Sequence, residues 1–91
     1  MKKLRYSTQY KKDFKRYRHD IQKLEKLLEV LRILERGETL PTRYKPHWLT
    51  GNYKDCMECH VEGDFLLIWF DDENETVELL RLGSHSELFG K

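Results

Sequence analysis

Residues 54–82 read KDCMECHVEGDFLLIWFDDENETVELLRL, three apolar runs broken by two short polar linkers. Runs suited to strands, at about 54–61, 65–71 and 76–82, are separated by Glu62-Gly63-Asp64 and by Asp72-Glu73-Asn74-Glu75. Both linkers are short and rich in turn formers, so the spacing predicts consecutive antiparallel hairpins. Leu66-Leu67-Ile68-Trp69-Phe70 is apolar on both parities, which marks it as the central strand.

Upstream, residues 3–7 alternate weakly and read as an opening edge strand, after which Ser7 can cap a helix running to about Arg18. Tyr10, Phe14 and Tyr17 then share one face. Asp20 caps a second helix, in which Ile21, Leu24, Leu27, Leu28, Leu31 and Leu34 follow an amphipathic spacing that ends at Gly37. Joined at His19-Asp20, the two helices form a hairpin whose apolar side needs a sheet to cover. The expected fold is α+β, an N-terminal helical hairpin packed on one face of a four- to five-stranded antiparallel sheet. Residues 1–91 suffice for one domain with one modest core. Leu24, Leu27, Leu28 and Leu31 should be buried, with Leu66 or Leu67 and Leu80 or Leu82.

Residues 38–53, with Pro41, Pro46 and Gly51, form the one long irregular loop, a kind of segment that is usually functional or mobile. With 38% hydrophobic and 36% charged residues, the composition fits a soluble globular chain. No apolar run is long enough to span a membrane, and the basic start Met1-Lys2-Lys3-Leu4-Arg5-Tyr6 lacks the apolar region of a secretory signal. The expected location is the cytoplasm. A net charge of +1 conceals an asymmetry, since residues 1–36 carry +7 and residues 37–91 carry −6. A basic half suits either a polyphosphate or an acidic partner, or is only a solvated helix face.

Chemistry concentrates in the second half, at His47, His60, Asp64 and His85. Histidine gives or takes a proton near neutrality because its unperturbed pKa is about 6.5. Alternation along residues 56–60 places Cys56, Glu58 and His60 on one face and Met57 and Cys59 on the other. If the helices cover the Met57 and Cys59 side, His60 projects from the open face. Gly83-Ser84-His85-Ser86-Glu87 contains a capping box, with Ser84 at the cap and Glu87 three residues on. His85 then opens a one-turn helix, where free backbone N–H groups can face an anion. Cys56-Met57-Glu58-Cys59-His60 matches a haem-attachment pattern, but haem attachment needs export, and a zinc site needs a second ligand pair. Two reduced, packed thiols are expected instead.

Three ordered motifs carry a family resemblance. They are Tyr44-Lys45-Pro46-His47-Trp48-Leu49-Thr50-Gly51-Asn52-Tyr53-Lys54, Glu58-Cys59-His60-Val61-Glu62-Gly63-Asp64-Phe65-Leu66-Leu67-Ile68, and Leu80-Arg81-Leu82-Gly83-Ser84-His85-Ser86-Glu87-Leu88-Phe89. Together they resemble the YafQ branch of the RelE superfamily of bacterial toxins. The resemblance implies a compact α+β endoribonuclease that cuts mRNA in the ribosomal A site without a metal or other cofactor. It also implies a monomeric toxin held inactive in a larger complex by a cognate antitoxin, expected to be a ribbon-helix-helix protein with an acidic C-terminal segment.

Carried over residue by residue, the implied catalytic set is His47, His60, Asp64 and His85. Arg81 and Phe89 support it, with Lys45 and Lys54 as further substrate-binding residues. Relatives usually have an Arg three residues before the strand histidine, where this chain has Met57. That departure implies either weaker phosphate binding or a different face for position 57.

Cleavage by 2′-OH attack needs a base, a cation for the phosphorane and an acid for the departing 5′-oxygen, groups that histidines and Arg81 can supply. His85 is assigned as the acid and His60 or His47 as the base, with Asp64 orienting an imidazole or accepting the proton itself. Arg81 offers a fork to phosphate or pairs with Glu58 or Glu78. Phe89 stacks on a base or closes the core, and of Trp48 and Tyr53 one should be core and one exposed. The cluster Lys11, Lys12, Lys15, Arg16 and Arg18 suits ribosomal RNA or an acidic antitoxin. The reading from another class is a non-nucleolytic, ParE-like gyrase poison on the same scaffold, whose members do not keep this histidine set. A general RNA-binding module is the third.

Overall fold

The computed structural model describes residues 1–90. Ser7 caps α1 (Thr8–Lys15) by accepting from the Tyr10 N–H, and Asp20 caps α2 (Ile21–Glu35) by accepting from Lys23. The first helix stops three residues short of Arg18, its last turn replaced by bonds from Arg16 to Asp13 and from Tyr17 to Phe14. Before and after this helical pair come the strands β1 (Lys3–Tyr6), β2 (His47–Trp48), β3 (Met57–Glu62), β4 (Phe65–Asp71) and β5 (Thr76–Gly83), and last the short helix α3 (His85–Phe89).

The sheet order is β1-β5-β4-β3-β2, so the predicted central strand β4 is central. Its pairings with β3 and β5 are antiparallel, as the short linkers require, and β2 is antiparallel to β3. One pair departs from the expected all-antiparallel sheet: β1 runs parallel to β5, with Leu4 opposite Val77. Parallel neighbours need a long crossover, here everything between residues 6 and 76, and alternation within a strand carries no information about the direction of its neighbour.

Between helices and sheet lies the main core, with Tyr10, Leu27, Val30 and Leu34 packed on Cys59, Phe65, Leu67, Trp69, Val77, Leu79 and Leu82. Each fully buried aliphatic side chain here contributes about 1.5–3 kcal/mol relative to exposure. Leu24 and Leu31 are half-buried at its margin, but Leu28, expected inside, is 48% exposed. The buried stripe of α2 is centred on Leu27, Val30 and Leu34, which leaves Leu28 at its edge beside Leu24 and Leu31, open to solvent.

Both parities of β4 are apolar because both faces are covered. Leu66 and Ile68 point away from the helices into a second cluster with Cys56 and Leu88, flanked by Leu49, Tyr53 and Leu80. The face expected to be open is therefore sealed along its middle by α3 and by the 3-10 turn Gly51–Tyr53. Cys56 and Cys59 are free thiols buried on opposite faces, and burial pushes the Cys59 thiol up to about 12, which leaves it inert. Met57 packs against the main core, on the helix side.

Candidate active site

Strand register builds the site. Because β2 pairs antiparallel with β3, His47 lies opposite Glu58, two residues before His60 on the same face. The Nε2 of His47 is 3.1 Å from Glu58 Oε1, and its Nδ1 is 2.8 Å from the carbonyl oxygen of Lys45. Lys45 adopts a left-handed conformation (φ 49°), closing the turn that carries its carbonyl back to the ring. Both ring nitrogens of His47 thus face oxygen atoms. Glu58 is only 2% exposed, and its second oxygen has no hydrogen-bond partner among the described residues.

His60 is arranged differently. Its Nδ1 lies 3.1 Å from the carbonyl of Gly63, in the turn that links β3 to β4, and a carbonyl can only accept. The proton therefore sits on Nδ1 in the neutral ring, leaving Nε2 with a lone pair. Gly63 (φ +52°) permits this tight turn.

The third ring, His85, opens α3. Its Nδ1 is 2.7 Å from Asp64 Oδ1, and its backbone N–H donates to the same oxygen at 3.0 Å. Those bonds, from the backbone N–H and then from the ring, hold the Asp64 carboxyl below the usual carboxylate range. The carboxylate of Asp64 therefore occupies the backbone donor of His85 that was expected to face a substrate phosphate. Two further donors of the cap are also spent, Ser84 N–H on Glu87 and Glu87 N–H on Ser84.

The three imidazoles form a row, His47 to His60 at 6.3 Å and His60 to His85 at 5.9 Å between ring centroids. Phe89 continues it, 6.1 Å from His85 and edge-on to Tyr53 at 6.1 Å. At 40% exposed, Phe89 does not close the core. Trp48 is 67% exposed, whereas Tyr53 is half-buried against the second cluster, so one aromatic is out and one is in.

Arg81 has a partner that the sequence reading missed. Its Nε donates to Asp13 Oδ2 at 2.8 Å and its Nη1 to the Tyr53 hydroxyl at 3.2 Å; neither Glu58 nor Glu78 is involved. Asp13 is completely buried on α1 and also accepts from Leu82 N–H and Gln9. Burial works to raise its pKa, but the Arg81, Leu82 and Gln9 donors outweigh that and hold it below the usual range. An apolar-stripe reading of α1 has no place for a buried aspartate, so only its position under Arg81 reveals it. Glu58 left one signal, its place on the face of His60.

Around α3, Glu87 accepts from Ser84 N–H and from the Tyr17 hydroxyl, and Arg16 stands 3.7 Å away. Tyr17 thereby ties α1 to the helix that carries His85. Lys45 and Lys54 are exposed, and neither ammonium group has a hydrogen bond or ion pair among the described residues. No three His, Cys, Asp or Glu side chains among the described residues converge as a metal site, and no helix is long and apolar enough to cross a membrane.

Two imidazoles about six Å apart, each with one nitrogen committed to an oxygen and the other uncommitted, suit transfer of protons to and from a phosphodiester. This is the equipment of small acid–base ribonucleases. Over residues 2–90 the chain matches the family described as bacterial toxin of type II toxin-antitoxin system, YafQ, and it belongs to that family. It is an enzyme of the endoribonuclease type.

Similar proteins include the mRNA interferase toxin YafQ of Escherichia coli K12, 38% identical over 90 residues, covering 96% of this chain and 95% of that one. The crystal structure of YafQ from E. coli BL21(DE3) superposes with a TM-score of 0.88 at 30% identity, covering 99% of this chain and all of that one. The E. coli DinJ-YafQ toxin-antitoxin complex gives 0.85 at 33% identity, covering 98% of each chain. A metal-bound toxin from Helicobacter pylori gives 0.87 at 39% identity, covering 98% of this chain and all of that one.

Proposed function

We propose that this chain is the mRNA-cleaving toxin of a toxin–antitoxin pair, acting on message in the ribosomal A site and restrained by a cognate antitoxin. The observation that carries the mechanism is the row His47, His60, His85 with its unequal hydrogen bonding. His60, protonated on Nδ1 toward Gly63, has the Nε2 lone pair that a general base needs. His85, its Nδ1 held by Asp64, is the general acid: the carboxylate fixes the ring so that Nε2–H can protonate the leaving 5′-oxygen. Asp64 orients that ring and does not itself take the proton.

His47 is less suited to be the base, because its Nε2 faces Glu58. It serves as a fixed imidazole beside the reacting phosphate, with Glu58 setting its orientation. Arg81, its Nε and both Nη atoms committed to Asp13 and Tyr53, supplies positive field rather than a free fork. Phe89, exposed beside His85, stacks on a base, and Lys45 and Lys54 contact the backbone of the message. Attack by the 2′-OH leaves a 2′,3′-cyclic phosphate and a 5′-hydroxyl end, and no step of this scheme requires a metal ion. Support for an antitoxin partner comes from the DinJ-YafQ complex, whose toxin shares this fold.

The test is incubation of the purified protein with programmed ribosomes and analysis of the product ends. Cleavage within the A-site codon leaving 5′-hydroxyl ends is expected. A 5′-phosphate end, or intact message, would refute the scheme. No observation favours a gyrase-binding reading.

A further inference from the structure

Beside the histidine row, where β3 ends, lies a cleft of about 250 Å³ whose walls include Lys26, Arg43, Lys45, His60 and Glu62. Its three cations arrive from separate places: Lys26 from the middle of α2, Arg43 from the 3-10 turn Thr42–Tyr44, and Lys45 from the left-handed residue that ends that turn. The cleft's one carboxylate, Glu62, accepts from the Gln22 amide, and neither Lys26 nor Lys45 has an ion-pair partner among the described residues. Three like charges around one cleft repel each other unless an anion enters.

Arg43 is held ready for that anion. Its guanidinium lies 4.7 Å from the centre of the Tyr44 ring, and its Nη2 donates to the Tyr44 hydroxyl at 3.1 Å. Tyr44 is buried and its hydroxyl donates in turn to Glu29 Oε2 at 3.1 Å. This seating orients the fork while leaving its remaining N–H groups without a partner among the described residues. The same contact sets the cation against the Tyr44 ring. Three cations facing a single, already engaged carboxylate select an anionic phosphate group.

Because His60 is both a wall of this cleft and the middle ring of the row, a phosphate in the cleft is next to whatever reacts at His60. We propose that Lys26, Arg43 and Lys45 form a subsite for the phosphodiester that neighbours the scissile one on the same RNA strand. The subsite holds the strand in register with the histidines by a contact that carries no sequence information. This inference rests on the nuclease reading above.

The experiment uses messages carrying a single neutral methylphosphonate at one linkage flanking the cut, presented on programmed ribosomes. The wild type should cut the unmodified message and lose on the order of tenfold in rate at one flanking position, the loss of one charge-assisted phosphate contact. A Lys26→Gln, Arg43→Gln variant should show that loss on the unmodified message and no further loss on the substituted one. An unchanged thermal midpoint would show that the variant is folded. If the two losses multiply instead, or if the variant cuts unmodified message at the wild-type rate, the cleft does not hold that phosphate and the proposal is overturned. Failure of the wild type to cut any message is a separate outcome, one that overturns the nuclease reading and the subsite with it.

Discussion

Glu58 brings one carboxyl oxygen to 3.1 Å from Nε2 of His47 and buries the other without a partner. A buried carboxyl with an orphaned oxygen costs stability, since the lost hydration is not replaced. Glu58→Gln should therefore leave the thermal midpoint unchanged or raised while lowering the cleavage rate, by roughly tenfold if orienting His47 is its task. Thermal unfolding followed beside single-turnover cleavage checks both. A drop in midpoint with an unchanged rate would assign Glu58 a purely structural role.

His60→Ala and His85→Ala each remove one proton-transfer group and should lower the rate by about 10²–10⁴-fold. Growth arrest on expression of the toxin alone should be relieved by either change. Both rings lie outside the main core, so far-ultraviolet circular dichroism should match the wild type. Asp64→Asn should cost less than His85→Ala, because the amide oxygen can still accept from the ring and from the His85 backbone N–H.

Asp13→Ala strips Arg81 of its partner and leaves the Leu82 N–H unbonded in the interior. Breaking a buried pair from one side costs about 3–5 kcal/mol, a large fraction of the stability of a chain this size. Urea unfolding at neutral pH measures it. Asp13 is held below the usual carboxylate range, so the folded state binds this proton less tightly than the unfolded state does. The stability it adds is complete above the unfolded aspartate value of about 3.9 and is lost as pH falls through the lower folded value. The gap between wild type and Asp13→Asn should narrow only in that acid range.

Gly83 adopts a φ of +154°, and a Cβ there would lie 2.6 Å from Glu87 Oε1. Gly83→Ala should push Glu87 away from Ser84 N–H and from Tyr17, loosening α3 and the ring it carries. Loss of a helix cap of this kind costs about 1 kcal/mol. The cleavage rate should fall further than that small loss of stability explains, a split visible when melting and kinetics are measured on the same sample. Tyr17→Phe removes one bond to Glu87 without the collision and should produce a milder version of the same effect.

The local elements are written in the order of the residues. Ser7, Asp20 and Ser84 cap the three helices as read, and the linkers at Glu62-Gly63-Asp64 and Asp72-Glu73-Asn74-Glu75 make the two hairpins. These depend on interactions within a few residues, and the pattern that encodes them is therefore local. The parity of β3, with Cys59 inward and His60 away from the helices, was readable for the same reason.

The remaining features come from contacts between distant parts of the chain. The parallel seat of β1 beside β5, the exposure of Leu28 and the cover over the face opposite the helices each depend on which distant segment arrives where. So do the partners of the charged groups. Asp13 and Arg81 are 68 residues apart, and Tyr17 and Glu87 are 70 apart, separations at which no periodicity can announce a contact. The histidines were visible as residues, but their unequal hydrogen bonding arises from a carbonyl at Gly63, another at Lys45 and a carboxylate at Asp64. Those atoms are brought to the rings by turn geometry and strand register, and folding alone places them there.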